Sequence, residues 1–362
     1  MKKLRIAQIA PLWYKIPPEK YGGIELIVYN LTEGLVKRGH KVTLFASGDS
    51  KTSARLFSVY PRYLRKDGIE WVNQKYTLLN LSEAFKREDE FDIIHSHVDL
   101  YDLFFTPFVK KPVVSTMHNR LMIDKVRIGK QIKYKGKERI DIYRHFRRHN
   151  IITISKAQKK LSDVKMNFVG TVYNGIDIRK LKYNSKGSDH FIWIGRMHKD
   201  KGVENAIKAA EKSKMKLVLA GRVKHEAEKK YFKERIKPHI DGKKIKFEGE
   251  ITVKQKAEFF GRAKALLYPI EWDEPFGLVM TEAMACGTPV IAFARGSVPE
   301  IVEDGKTGFV VKSINGIVKA MREIDKIDRK ECRRLVERKF SIDKMVESYE
   351  KIYRRLISQS RK

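Results

Sequence analysis

FIWIGRMHKDKGVENAIKAAEKSKMKLVLAG (191–221) contains a strand, a loop, a helix and a second strand in succession. FIWIG (191–195) and KLVLAG (216–221) are short apolar β-type runs, and Val203–Lys214 between them has helical spacing. Such alternation argues for a parallel sheet covered by helices. Further along, KIKFEG (244–249), ALLYPI (265–270) and PVIAF (289–293) read as strands, with a helical run over Thr252–Ala263. Toward the N-terminus a similar series starts with a strand at Leu4–Ala10 and a helix opened by Gly23, in which Ile24, Ile27, Val28, Leu31 and Leu35 recur until Gly39. KVTLFA (41–46), FDIIHSH (91–97), PVVSTMH (112–118) and NIITIS (150–155) continue it as strands. The polar, turn-rich stretch NGIDIRKLKYNSKG (174–187) separates the two series and reads as a hinge. A last helix, beginning near Ser341, places Met345, Tyr349, Ile352, Tyr353 and Leu356 on one stripe and is expected to pack back on the first domain. The expectation is therefore an α/β protein of two doubly wound domains, 1–176 with 341–362, and 177–340.

Length and composition agree. The 362 residues suffice for two domains with their own cores, and 42% hydrophobic residues exclude a disordered chain. Ala283–Ala294 is too short to span a membrane and is interrupted by Gly287 and Pro289. The opening MKKLRIAQIAPLW reads as a strand rather than a leader, because its apolar run is short and holds Gln8 and Pro11. Two cysteines, Cys286 and Cys332, make neither a disulfide framework nor a paired-cysteine zinc site, so a reducing cytoplasm is the expected home. The net charge of +32 favours an anionic partner. Residues 120–160 alone carry 14 Lys and Arg against 3 Asp and Glu. That segment reads as a solvated face, as a contact with an anionic membrane at its inner face, or as a match to an acidic or phosphorylated acceptor; Gly129 and Gly136 weaken any continuous amphipathic helix through it.

Four places carry candidate chemistry. In EWDEPFGLVMTEAMACGTPVIAFA (271–294), Glu274 precedes a Pro-Phe-Gly turn and Glu282 follows eight residues later, inside the helix after Gly277. The turn leaves backbone N–H groups of Gly277, Leu278 and Val279 for a ligand, with two carboxylates for sugar hydroxyls; equally, the glutamates could be a turn residue and a solvated helix residue. Arg196, Lys201 and Gly202 lie between a strand and a helix, where phosphates bind: Arg196 offers a planar fork and Lys201 a mobile point charge. The long loop PLWYKIPPEKYGG (11–23) exceeds the usual length and ends on Gly22 and Gly23, which allow close backbone approach. No GxGxxG or Walker spacing is present, so a dinucleotide or P-loop reading has no support. His95, His97 and His118 stand at strand ends. His95 and His97 share a face, which could suggest a metal, but without a third ligand polar contacts in a crevice are preferred. His118 and Asn119 are better placed for a ligand.

The stretch EPFGLVMTEAMACGTPVIAFARGSVPEIVEDGKTGFVV (274–311) resembles the signature of retaining nucleotide-sugar glycosyltransferases of family 4, with its E-x7-E pair. The likeness continues in IGRMHKDKG (194–202), VYNGID (172–177), STMHN (115–119), FDIIHSH (91–97) and YGGIE (21–25). IAPLWYKIPPEKYGGIELIV and LFASGDSKTSA (44–54) resemble a subgroup containing glucosyltransferases that act on small acceptors. The resemblance implies a GT-B fold, two Rossmann-like domains facing across a cleft, and hexosyl transfer. It implies that Arg196 and Lys201 bind the donor pyrophosphate, Glu282 the ribose and Glu274 the donor sugar, with backbone N–H groups of Phe276, Gly277, Leu278 and Val279 nearby. Gly22 and Gly23 would border the phosphates, His118 the transferred sugar, and Gly249, Glu250 and Ile251 the nucleobase. His97 and Asn119 fall on the acceptor side. His198 departs from the family pattern, where small residues or proline are usual. The implied donor is a nucleotide sugar, UDP-glucose first and GDP-mannose second, and the acceptor a small molecule, glycan or lipid-linked hydroxyl. No metal or other cofactor is implied, and nucleic acid is not an expected partner. A nucleotide-sugar epimerase or another GT-B enzyme is the alternative, and a nucleic-acid-binding protein, which would explain the charge, is a more distant one.

Overall fold

A computed structural model describes residues 2–19, 22–128 and 131–360. Tyr21 of the YGGIE motif, the preceding Lys20, and Gly129 and Lys130 of the basic segment lie outside the described residues. The chain forms two units, Met1–Gly175 with Ile342–Lys362, and Ile176–Ser341.

The first unit runs β1 (Arg5–Ile9), α1 (Gly23–Lys37), β2 (Lys41–Phe45), β3 (Arg55–Phe57), α2 (Lys75–Lys86), β4 (Ile93–Ser96), β5 (Val113–Met117), β6 (Asp124–Ile128), β7 (Gln131–Lys135), α3 (Lys137–His145), β8 (Asn150–Thr153), α4 (Lys156–Lys160) and β9 (Asn167–Thr171). Seven strands form one parallel sheet in the order β3-β2-β1-β4-β5-β8-β9. Its middle strands are buried on both faces: no residue of β4 or β5 is exposed, as a parallel sheet sandwiched between helices requires. Within the basic segment, β6 and β7 pair antiparallel as a separate hairpin ahead of α3, so that segment is not one helix.

The second unit continues with β10 (His190–Arg196), α5 (Val203–Ser213), β11 (Lys216–Arg222), α6 (Glu226–Tyr231), β12 (Ile245–Phe247), α7 (Val253–Arg262), β13 (Leu266–Tyr268), α8 (Leu278–Ala285), β14 (Val290–Phe293), α9 (Val298–Ile301), β15 (Gly308–Val311), α10 (Ile314–Glu323) and α11 (Arg329–Lys339). The six strands are parallel in the order β12-β11-β10-β13-β14-β15. α5 packs with α10, while α8 packs with α7 and α11.

The final helix, α12 (Ile342–Gln359), belongs to the first unit and lies along α1. Its buried stripe, Met345, Val346, Tyr349, Ile352, Tyr353, Leu356 and Ile357, follows from helical spacing. Gly34 allows the two helices to approach closely, since a Cβ there would stand 2.5 Å from Val346 Cγ2. Glu350 ties the pair at one edge, accepting from Arg38 at 2.5 Å and meeting His40 Nε2 at 2.6 Å. Each large apolar side chain in the stripe contributes about 1.5–3 kcal/mol on burial, so the stripe together outweighs the part-buried ion pair at its edge.

Candidate active site

In the second unit the strand order is that of a Rossmann sheet, and the direction of winding reverses between β10 and β13. The loops leaving those two strands, Met197–Gly202 and Pro269–Gly277, therefore open a crevice at the carboxyl edge of the sheet. Arg196 ends β10 and Lys201 closes the first loop. Gly202 has φ 70°, and a Cβ on it would fall 1.8 Å from the Pro269 carbonyl oxygen, so only glycine lets the loops touch. The Trp193 indole N–H donates to the Lys201 carbonyl at 3.0 Å and fixes the loop from below.

The two loops are joined by charge. Lys201 Nζ donates to Glu274 Oε2 at 2.9 Å, with the two side chains 17% and 10% exposed. The same oxygen accepts from the Tyr268 hydroxyl at 2.7 Å and the Trp272 indole at 2.9 Å. Three donors converge on Oε2 and none of these bonds uses Oε1. The Lys201 ammonium also lies 4.5 Å from the centre of the Trp272 ring. Burial beside Glu274 pushes the Tyr268 phenol well above its ordinary range, so it stays a donor. Arg196 is half-buried and makes no ion pair among the described residues.

Glu282 lies elsewhere in this network. It is buried on α8, and Lys256 of α7 donates to both its oxygens, at 2.8 and 2.9 Å. Sequence reading did not single out Lys256, one cation among 76; its position one turn into a helix that packs on α8 is visible only in three dimensions. Gly277 caps α8 in the left-handed region, and Leu278 and Val279 form its first turn, where helix N–H groups have no upstream carbonyl. Phe276 is buried, its carbonyl accepting from Ser297 Oγ at 2.9 Å. Gly249, Glu250 and Ile251 follow β12; Glu250 pairs with Lys224 at 3.4 Å. His198 is exposed and its Nδ1 accepts from the Asp200 N–H at 3.3 Å, capping the short turn that presents Lys201.

The first unit has its own reversal between β1 and β4. Beside it is a cavity of about 390 Å³ whose walls include Trp13, Glu25, Trp71, His97, Asp99 and His118. Asn119 also lines it, donating to Asp99 Oδ2 at 3.0 Å. Below the cavity runs a chain of imidazoles. His97 Nε2 donates to Gln8 Oε1 at 2.9 Å, which leaves His97 Nδ1 to accept from His118 Nε2 at 3.0 Å, and so His118 Nδ1 carries a lone pair. Gln8 Nε2 in turn reaches the Tyr353 hydroxyl at 3.0 Å, and that hydroxyl is 2.6 Å from His95 Nδ1. His95 Nε2 contacts Thr116 Oγ1 at 2.8 Å. Desolvation holds His95 and His97 well below the ordinary histidine range and lowers His118 to about 4, so the chain is neutral. With their nitrogens engaged in this chain, His95 and His97 act as polar contacts. Among the described residues no three His, Cys, Asp or Glu side chains are grouped to hold a metal ion.

Gly22 and Gly23 open α1, and Glu25 two residues later is buried, its carboxyl raised by desolvation to about 7. A glutamate in a first helical turn reads from sequence as solvated; only the cavity reveals this one. Asp99 accepts from the Tyr143 hydroxyl and stands 3.5 Å from Arg139.

Comparison with known proteins agrees with this architecture. Residues 176–341 match the family described as Glycosyl transferases group 1, and residues 21–180 match Glycosyltransferase Family 4. The chain belongs to the glycosyltransferases, built from one domain of each kind. It is 22% identical to the O-antigen chain mannosyltransferase C of Escherichia coli, over 98% of this chain and 99% of that protein. Among solved structures, a sucrose-phosphate synthase from Thermosynechococcus elongatus superposes with TM-score 0.78 at 21% identity, covering 99% of this chain and 100% of that one. Anabaena HepE in complex with UDP-glucose superposes with TM-score 0.66 at 16% identity, over 98% and 100%. These likenesses give the GT-B fold. Among the described residues no helix is long and apolar enough to cross a membrane.

Proposed function

We propose that this glycosyltransferase moves a hexosyl group from a nucleoside-diphosphate sugar to a hydroxyl acceptor with retention of configuration and without a metal. The observation that supports it most is the Lys201–Glu274 pair bridging the two loops of the second unit's crevice. Departure of a nucleoside diphosphate builds negative charge, and Arg196, Lys201 and the first-turn N–H groups of α8 are donors already in place for it. Glu274, held through Oε2, has Oε1 for a hydroxyl of the donor sugar. Glu282 accepts from the ribose, with Lys256 orienting its carboxylate through both oxygens. Gly249, Glu250 and Ile251 take the base.

Glu274 serves better as a hydroxyl ligand than as a nucleophile, because three donors draw charge from its bonded oxygen. Same-face attack, with the departing phosphate oxygen taking the acceptor proton, needs no enzymatic nucleophile. His118 is assigned to the transferred sugar on the likeness of the STMHN segment, and its fixed neutral form supplies an acceptor lone pair. His97 and Asn119 belong to the acceptor side, where the 390 Å³ cavity is large enough for part of an acceptor. Gly22 and Gly23 remain candidates for close approach to the phosphates.

UDP-glucose is the first donor to try, in keeping with the HepE complex, and GDP-mannose the second, in keeping with the mannosyltransferase relative. A hydrolysis screen across nucleotide sugars tests the reading: one sugar nucleotide is expected to be cleaved at the anomeric carbon, releasing the α-sugar and the nucleoside diphosphate. Activity is expected to persist in EDTA. Loss in EDTA with recovery on adding a divalent ion would overturn the metal-free mechanism. Thermal stabilisation by an oligonucleotide, with none by UDP, GDP or ADP, would overturn the transferase site.

A further inference from the structure

A second cavity, of about 630 Å³, lies at the opposite edge of the first unit's sheet, where the chain enters β5 and β8. Lys111, His145, Arg147 and Arg148 are among the residues that line it, and no carboxylate does. Arg147 and Arg148 are exposed and make no ion pair among the described residues. The Lys111 ammonium stands 3.8 Å from the Asp89 carboxylate, which is 98% exposed, while its backbone N–H donates to Glu88 at 2.9 Å. His149 is turned inward, its Nε2 2.7 Å from Ser115 Oγ, and its burial lowers it to about 4, so it adds a polar wall without charge.

Beside this cationic hollow stand two rings that the fold leaves in water. Phe108 is 83% exposed and follows Pro107 of the cavity wall, while Phe104 is 45% exposed and meets Phe146 of the wall edge-on at 5.6 Å. Neither ring lines the cavity, so neither would touch a free anion seated in it. A bilayer surface satisfies both features together: phosphate headgroups meet the cations, and aromatic rings settle at headgroup depth.

We propose that this edge of the first unit is a docking surface for an anionic phospholipid bilayer, with Lys111, Arg147 and Arg148 on lipid phosphates and Phe104 and Phe108 entering the interface. The site stands apart from both sheet reversals and does not rest on the donor assignment. The excess positive charge of the chain supplies long-range attraction, and the cavity with its flanking rings fixes which face lands.

Sedimentation of the full chain with vesicles tests this, comparing phosphatidylcholine alone with phosphatidylcholine containing one third phosphatidylglycerol, at physiological salt. Binding is expected on the anionic vesicles only. Arg147→Gln with Arg148→Gln should weaken partitioning about 25-fold, at about fivefold for each charge near the surface. Phe108→Ser should weaken it several-fold at unchanged net charge. Lys208→Gln with Lys319→Gln removes the same charge from exposed positions of the second unit and should change partitioning by less than about twofold. Circular dichroism and melting confirm that each variant folds. Equal loss in both double variants would reduce the effect to net charge and overturn the site. So would retention of full vesicle binding by the arginine variant. Stabilisation by inorganic phosphate without vesicle binding would identify a free-anion site instead, and preference for an oligonucleotide over vesicles would identify a nucleic-acid surface; either result overturns the proposal.

Discussion

The two sheet reversals of this molecule are built alike and charged differently. In the second unit the crevice holds permanent charges in pairs, Lys201 with Glu274 and Lys256 with Glu282. In the first unit the same topological position holds mainly neutral groups, the imidazoles and a carboxyl that burial keeps largely protonated below pH 7, with one looser pair, Asp99 and Arg139 at 3.5 Å, on the cavity wall. The two arrangements suit different chemistry. On the proposed reading, fixed charges suit a departing diphosphate, and neutral imidazoles suit hydroxyls. The parallel α/β plan supplies the place, and side chains decide the work done there.

The contrast is broken most directly at its charged end. Lys201→Ala and Glu274→Ala should each lower kcat/KM for sugar transfer at least 100-fold, as expected for loss of one electrostatic donor worth about 2.7–4 kcal/mol or of its partner. Initial rates on folded protein, checked by melting, measure it; near-normal turnover by either variant would remove the site assignment. Lys256→Gln acts more weakly, since Glu282 keeps its position on α8. A rise of about tenfold in donor KM with kcat within a fewfold is expected, about 1.4 kcal/mol of binding to the nucleoside. An equal fall in kcat would place Lys256 in the chemical step instead.

The neutral end is sharpened by pH. Glu25 has its carboxyl raised from 4.5 to about 7 in the folded chain, so its protonated form contributes stability that is complete below pH 4.5 and lost as pH rises through about 7. Glu25→Gln should therefore match the wild type at pH 4.5 and exceed it by roughly 3 kcal/mol at pH 8 in urea unfolding. His118 runs the other way. Lowered from 6.5 to about 4, it contributes stability that is present above pH 6.5 and lost as pH falls through about 4. His118→Asn should lessen the acid loss of stability by a smaller amount, because part of its ring meets solvent. An unchanged pH slope in both variants would show that the cavity is wetter than its packing implies.

Most of the architecture was legible because central parallel strands are long apolar runs: FIWIG, KLVLAG and PVVSTMH emerge as β10, β11 and β5 with ends shifted by a residue or two. The strands that sequence reading passed over, β3, β9, β15 and the hairpin β6–β7, are short, polar or glycine-bearing. RLF and NFVGT carry too little periodicity to register alone, and they pair only because a neighbouring strand offers an edge. Lys201 and Glu274 were legible through motif resemblance, yet their contact was not, since 72 residues intervene. Lys256, Glu25 and Asp99 were hidden for a shared reason. A charged residue on a helix or loop looks solvated until the fold closes over it.

The polar chain under the first cavity ends on Tyr349 and Tyr353, side chains supplied by the last helix after the polypeptide has completed the whole second unit. A fragment stopping at residue 175 would thus lack the hydroxyls that satisfy Thr116, Gln8 and His95, and would expose the hydrophobic flank of α1 as well. Any attempt to express the halves separately must graft residues 342–360 onto the leading piece; cut at the hinge alone, it yields an unfinished lobe and a severed tail.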